Sequence, residues 1–445
     1  MTRTIEIYDT TLRDGTQAEN FNLSLEDKIK VCRELDSFGV DFIEGGWPGS
    51  NPLAVDFFQR MQGVGLRHAK LAAFGSTRHF QNPLEKDANL QALLAAKTQA
   101  ITIFGKSWDI HVTDALRIGL EDNLTIIEDS LAFLRPQVEH LLYDAEHFFD
   151  GFKANREYCL ATLQRALAGG AETVILCDTN GGTLTHELAG IIQAVQQFFQ
   201  QPGQEVRLGI HAHNDAECAV ANSLMAIQLG AVQVQGTMNG YGERCGNANL
   251  TSIIPALELK MGLHCQAGSR LHQLYATTRL INELANLPHN RYQPYVGDSA
   301  FAHKGGVHVS AVQRNPVTYE HIEPEKVGNE RRILISDQSG RANVVLKAER
   351  YGLPLRSDDP LMASILSELK EMENQGYQYE AAEASFELLV RSALGLRRKF
   401  FNLEAFRVMN HKYSMNKEAF TEATIRLSVG GTEAHTAAMG DGPVN

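Results

Sequence analysis

The chain has little of what marks a membrane, extracellular or nucleic-acid-binding protein. No apolar run approaches the ~18 residues that a membrane-crossing helix needs. Six cysteines (Cys32, Cys159, Cys177, Cys218, Cys245, Cys265) are scattered over 445 residues without a CxxC pair. They read as reduced, mostly buried thiols, and the expected compartment is the cytoplasm. Lysine and arginine number 41 against 53 acidic residues, a net charge of −12. That disfavours non-specific nucleic-acid binding but allows a local basic pocket for a small anion. The stretch from Met1 to Gly15 enters strand-like alternation at once and lacks the successive regions of a signal peptide. GxSxG and P-loop patterns are missing, which removes the usual serine hydrolase and NTPase readings. With 43% hydrophobic and 21% charged residues, the composition is that of a globular protein, neither disordered nor fibrous.

What is present is a rhythm. Short β-branched runs fall at residues 4–8, 41–44, 70–74, 100–104, 140–143, 173–177, 206–210 and 232–236, each followed by a longer stretch of helical periodicity. Residues 25–38, capped by Ser24, are one such helix, and 124–134 and 156–167 are others. Strands alternating with helices predict a parallel sheet with right-handed crossovers. Eight units in ~265 residues fit a (β/α)8 TIM barrel better than an open doubly wound sheet.

A barrel places function on the loops at the carboxyl ends of its strands, and polar residues cluster there. They are Asp9 through Gln17 after the first strand, Glu44 after the second, Lys106 and Ser107 after the fourth, and Asp144 and Glu146 after the fifth. Asp178, Thr179 and Asn180 follow the sixth, His211 through Asp215 the seventh, and Asn239, Glu243, Arg244 and Asn247 the eighth. His211 and His213 are two apart, so both face the same side of their strand. Two imidazoles need one carboxylate to make a facial metal site; Asp14 is the natural candidate, and Asn247 could add an amide oxygen. The competing interpretation is a hydrogen-bonded histidine pair without an ion. Arg13 beside Asp14 offers a permanent positive charge for charge developing on a bound oxygen, or else a structural ion pair. Glu146 is a candidate to orient a base or a substrate group, and Thr179 with Asn180 could hold a carboxylate, unless that pair only caps a helix. The stretch Gly240-Tyr241-Gly242-Glu243-Arg244-Cys245-Gly246 has no dinucleotide-binding spacing; its glycines let backbone approach the site. Cys245 there is either a nucleophile or a small residue in a tight loop.

Past residue 266 the rhythm stops. We divide the chain into a catalytic barrel (1–268), a linker subdomain (269–345), a helical subdomain (346–398) and the start of a C-terminal domain (399–445). A helix is expected over 270–286, two amphipathic helices over 358–394, and strands over 406–411 and 424–429. Two strands cannot bury a core alone, so the last segment reads as the beginning of a larger unit.

Five motifs in order then resemble one family. Asp9-Thr10-Thr11-Leu12-Arg13-Asp14-Gly15-Thr16-Gln17, His211-Ala212-His213-Asn214-Asp215 and Gly242-Glu243-Arg244-Cys245-Gly246-Asn247 are similar to motifs of the isopropylmalate and homocitrate synthase group of metal-dependent barrels. So are Gly306-Val307-His308 with Tyr319, and Ser339-Gly340-Arg341-Ala342-Asn343. Glu44 through Pro52 and Asp144 through Gly151 look like the branch that makes citramalate. The resemblance implies condensation of acetyl-CoA with pyruvate, for isoleucine biosynthesis. It implies a divalent metal (Mn2+, Zn2+, Co2+ or Mg2+) on Asp14, His211, His213 and Asn247. It places Arg13, Gln17, Thr179, His111 and Glu44 at the substrates and Arg13, Glu146, His308 and Tyr319 in catalysis, the last two from the other subunit of a homodimer. The C-terminal segment would begin a regulatory domain. A synthase for a larger 2-oxo acid, with Phe74, Phe104 and Asp144 lining the pocket that decides, stays open. So do a carbon–carbon lyase on the same barrel and a non-catalytic barrel.

Overall fold

The computed structural model describes residues 3–200, 206–412, 414–415 and 418–442; Met1, Thr2 and the terminal Pro443-Val444-Asn445 lie outside them. Eight parallel strands close into a barrel in sequence order: β1 (Glu6–Asp9), β2 (Phe42–Gly46), β3 (Lys70–Ser76), β4 (Ala100–Lys106), β5 (His140–Glu146), β6 (Thr173–Asp178), β7 (Leu208–Ala212) and β8 (Gln233–Gly236). The ring is sealed where β8 pairs with β1, Tyr8 opposite Gln235. All eight β-branched runs are strands, and six of them continue one to three residues further into polar sequence. Apolar patterning marks the buried part of a strand and misses the end that carries chemistry.

Alternation decides what faces where. Ile7, Ile43, Ala73, Ile103, Leu141, Leu176, Ile210 and Val234 pack outward beneath the helices. Tyr8, Phe42, Ala72, Ala100, Leu142, Ile175 and Cys177 fill the barrel interior. Continued upward by steps of two, the inward series becomes Glu44, Phe74, Phe104, Asp144, Glu146, Thr179, His211 and His213. The mouth of the barrel is therefore the same set of faces that forms its core, with ionisable groups and Thr179 joining two phenylalanine rings.

Three helices matter for the site: α1 (Leu25–Phe38), α2 (Pro52–Met61) and α3 (Ala88–Ala95). Ser24 caps α1, its Oγ accepting the Asp27 N–H at 3.2 Å. The helix expected over 270–286 is shorter. Gln266–Gln273 forms 3-10 turns interrupted at Arg270, and the α-helix runs from Leu274 to Leu284. It joins the barrel, with Ile281 in the barrel's outer core and Thr277 Oγ1 donating to Glu34 at 2.6 Å.

Contacts group Met1–Ala302 with Pro316–Arg332 as one unit and His303–Asn315 with Ile333–Asn445 as a second. The second unit has its own core, in which Val344, Met362, Ile365, Leu369, Phe386 and Val390 meet. These come from helices Arg341–Arg350, Met362–Asn374 and Glu383–Ala393. It ends in an antiparallel sheet of three strands, Asn402–His411, Phe420–Val429 and Thr432–Gly440. The last strand escapes sequence patterning: its alanine-rich run has neither an apolar face nor a β-branched series. No helix among the described residues is long and apolar enough to cross a membrane.

Candidate active site

The loop after β1 turns back on itself. Asp9 accepts from Thr11 N and Oγ1, both at 2.9 Å, and Thr11 Oγ1 takes the Met238 N–H at 2.9 Å beyond β8. Arg13 N and Gly15 N both return to the Thr10 carbonyl at 3.1 Å. This knot sets Arg13 and Asp14 side by side at the barrel mouth. From across the β8–β1 seam, β7 supplies His211 and, one residue past its end, His213. Asp14 Oδ2 lies 3.2 Å from His211 Nε2 and 3.9 Å from His213 Nε2. Asp14, His211 and His213 are the only trio of potential ligand groups among the described residues whose atoms all fall within 4.8 Å of one another.

The chemistry of this trio fits a divalent ion. His211 Nδ1 is 2.9 Å from Gln235 Oε1, and the Gln235 amide donates to Asp144 at 3.0 Å. An N–H at Nδ1 leaves the Nε2 lone pair facing Asp14, the outer support a ligating histidine needs. Burial, with His211 alongside, depresses His213 to about 3, which keeps its imidazole neutral. Burial alone would raise Asp14, but Arg13, His211 and His213 hold it well below the usual carboxylate range. Asn247 Nδ2 donates to Asp14 Oδ2 at 2.8 Å, and its buried Oδ1 has no hydrogen-bond partner. The amide thus steadies Asp14 and keeps an oxygen uncommitted. The loop glycines give it room: a Cβ on Gly242 would stand 2.0 Å from Asn247 Oδ1. Gly246, at φ +90°, takes a backbone conformation that side chains resist.

Around the trio lies a cavity of about 200 Å³, lined by Arg13, Gln17, Trp47, Phe74, Phe104, Asp144, Glu146, Cys177, Thr179 and Glu243 as well. Thr179 Oγ1 accepts the His147 N–H at 2.8 Å, so its own hydroxyl hydrogen is available to a ligand. Glu146 is paired with Lys106, a residue the strand pattern had placed at this end without a role. Burial raises Asp144 to about 7, with Glu44 adding to that effect and His211 and Arg13 opposing it.

Two expected substrate contacts are placed elsewhere. Glu44 is fully buried and does not line the cavity; it grips Arg13 from behind and takes the Tyr8 hydroxyl at 2.9 Å. Its position at the end of an inward-facing series pointed to the site but could not tell a lining residue from a supporting one. His111 stands outside the lining too, its ring stacked on His147 at 4.1 Å. Cys245 is exposed and away from the lining. His308 sits on the helix Gly306–Arg314 of the second unit. Tyr319 belongs to the first, half-exposed and apart from the cavity. Sequence reasoning missed Tyr8, Thr102 and Gln235. The available signal was a side chain able to hydrogen-bond at an inward position of a buried strand.

A closed barrel with this constellation at the carboxyl ends of its strands defines a class. The HMGL-like family model matches residues 4–281, and the homocitrate synthase post-HMGL domain-like model matches 295–377. Within that class the chain belongs to the (R)-citramalate synthase family. It is 55% identical to the (R)-citramalate synthase of Geobacter sulfurreducens, over 99% of this chain and 83% of that one. The 2-isopropylmalate synthase of Pseudoalteromonas atlantica is 30% identical, over 100% of this chain and 83% of its own length. Among solved structures, the HMG-CoA lyase of Bacillus subtilis has a TM-score of 0.55 at 20% identity, covering 65% of this chain and 96% of that one. That last likeness is one of fold.

Proposed function

We propose that the protein is an acyltransferase that condenses acetyl-CoA with pyruvate to give (R)-citramalate and CoA. The observation that carries this is the 200 Å³ cavity, where Asp14, His211 and His213 converge beside Arg13 and the rings of Trp47, Phe74 and Phe104 supply an apolar wall. Such a space suits a small 2-oxo acid, polar at one end and methyl at the other. The thioester methyl gives up a proton, its carbon bonds to the keto carbon of pyruvate, and the former keto oxygen takes up a proton. Water then cleaves the thioester, releasing CoA and the second carboxylate.

Asp14, His211 and His213 would hold a divalent cation, which when bound polarises the 2-oxo group as a Lewis acid. Asn247 orients Asp14, and Gln235 fixes the tautomer of His211. Thr179 donates its hydroxyl hydrogen to the substrate carboxylate. Arg13, held by Glu44 and lying over the Phe74 ring, supplies a fixed positive charge where oxygen becomes anionic. Glu146, tethered by Lys106, borders the space where the thioester methyl must enter. We extend the proposal to a homodimer in which His308 and Tyr319 complete the other subunit's site; the exposed placement of Tyr319 supports this. CoA release measured with pyruvate, 2-oxoisovalerate and 2-oxoglutarate, with and without Mn2+ after chelation, tests the assignment. Metal-dependent turnover that favours pyruvate supports it. Preference for a larger acid, or none with any, overturns it.

A further inference from the structure

Trp47 follows the end of β2, on the loop that leads into α2. Its ring meets Phe74 and Phe104 nearly edge-on, with centroids 5.9 and 5.4 Å away, and those two rings stack on each other at 5.4 Å. All three border the 200 Å³ cavity. Trp47 and Phe104 also border a second concavity of about 620 Å³, whose other walls include Arg78, Lys106, Leu116 and Ile118. The two rings are therefore a partition between a small chamber and a large one. The polar lining of the small chamber (Arg13, Asp14, Thr179, His211, His213) claims the oxygens of a 2-oxo acid, which leaves its alkyl group to the aromatic side.

One hydrogen bond pins the indole: Nε1–H donates to Asn89 Oδ1 at 2.7 Å. Asn89 in turn donates from Nδ2 to the Ser76 carbonyl at the end of β3, at 2.6 Å. Its backbone is fixed in the first turn of α3, where the buried Asp87 carboxylate accepts the N–H groups of Asn89 and Leu90 at 3.1 Å. Two glycines keep space for the amide, since a Cβ on Gly49 or on Gly75 would stand 2.8 Å from Asn89 Oδ1. The arrangement is a clamp whose parts come from two successive strand–helix units, β2–α2 and β3–α3.

We propose that Trp47 determines the size of 2-oxo acid accepted and that Asn89 is the positioning residue that sets this limit by fixing the indole. The inference rests on the function proposed above. With the indole locked, the chamber ends at the ring; with it free to turn, the chamber opens toward the larger concavity and a longer alkyl group fits.

The test measures kcat/KM for pyruvate, 2-oxobutyrate and 2-oxoisovalerate in the wild type, Trp47→Ala, Trp47→Phe, Asn89→Ala and the Trp47→Phe/Asn89→Ala pair. Trp47→Ala should shift the ratio toward the larger acids by at least about 10-fold, the scale on which a pocket discriminates one or two methylenes. Asn89→Ala and Trp47→Phe each delete one end of the same hydrogen bond. Each should shift the ratio in that direction by about 3-fold or more, and the pair should add little to either alone. If Asn89 only supports the fold, its loss lowers all three substrates together and leaves the ratio unmoved, which overturns the proposal. Additive shifts in the pair overturn the coupling to Trp47. Should Trp47→Ala not fold, the two conservative variants still decide. A wild type that releases no CoA with pyruvate refutes the function itself; an active wild type whose variants keep its ratio refutes only this inference.

Discussion

Arg13 Nε lies 2.5 Å from Glu44 Oε1, and the guanidinium carbon rests 3.8 Å from the centre of the Phe74 ring. The second Glu44 oxygen takes the Tyr8 hydroxyl, which is itself 2.7 Å from Thr102 Oγ1. A charged donor at the mouth is thus aimed by a carboxylate that never meets solvent. Glu44→Gln keeps the shape and removes the charge. We expect kcat/KM to fall by about 10–100-fold, the usual cost of losing an outer partner, with Mn2+ affinity largely kept. Steady-state kinetics beside a Mn2+ titration checks this, and unchanged kcat/KM would reduce Glu44 to a structural role.

Asp14→Asn and His213→Ala should each weaken divalent-ion binding by at least about 100-fold, beyond the effect of an outer partner. Calorimetric titration of the chelator-treated protein with Mn2+ measures it directly, without turnover. Binding that survives both substitutions would place the ion elsewhere.

Gln235→Leu removes the acceptor that fixes the tautomer of His211 and the donor that serves Asp144. Ion affinity should drop by about 10–100-fold while the barrel stays folded. Circular dichroism and the same titration separate the two effects.

The proposed homodimer has a sharp test. Asp14→Asn and Tyr319→Phe proteins, each impaired alone, are unfolded together and refolded as a mixture. If Tyr319 serves the other subunit, random pairing restores about a quarter of wild-type activity, because half the dimers carry one intact site. A residue acting within its own chain restores none.

Asp41 accepts the Ile7 N–H at 2.8 Å, and burial raises it to about 6, further lifted by Glu6 and eased by Lys70. Its folded value lies above the unfolded one of about 3.9. The group therefore contributes stability that is fully present below about pH 4 and lost as pH rises toward 6. Denaturation at pH 4, 5 and 6 should show wild type losing up to about 1.4 kcal/mol per pH unit relative to Asp41→Asn. Parallel curves would contradict that.

The barrel was legible because its strands form short, buried, largely apolar runs at regular intervals, which the longer amphipathic helices between them do not repeat. His211 and His213 were legible for a different reason: a spacing of two on a strand fixes their common side whatever the rest of the fold does. Glu44 was visible as a strand-end carboxylate, but its partner is 31 residues away on another loop. Only the curvature of the ring decides that it faces Arg13 and not the cavity. The Trp47–Asn89 contact was invisible for the same reason, since neither residue belongs to a periodic pattern. Tyr8, Thr102 and Gln235 were hidden because their partners lie on other strands of the ring, 36, 94 and 24 residues away.

The Asn247–Asp14 hydrogen bond joins residues 233 positions apart. Asp14 leaves the ribosome early, whereas His211 and His213 emerge with the sixth strand after it and Asn247 only after the seventh. No fragment short of the whole ring can own this centre, so the trio and the closed barrel appear together during synthesis. Whatever later occupies the trio binds the sealed barrel and not the open chain. An ion held there would act as a clasp across the β8–β1 seam, and its removal should be felt first as fraying there.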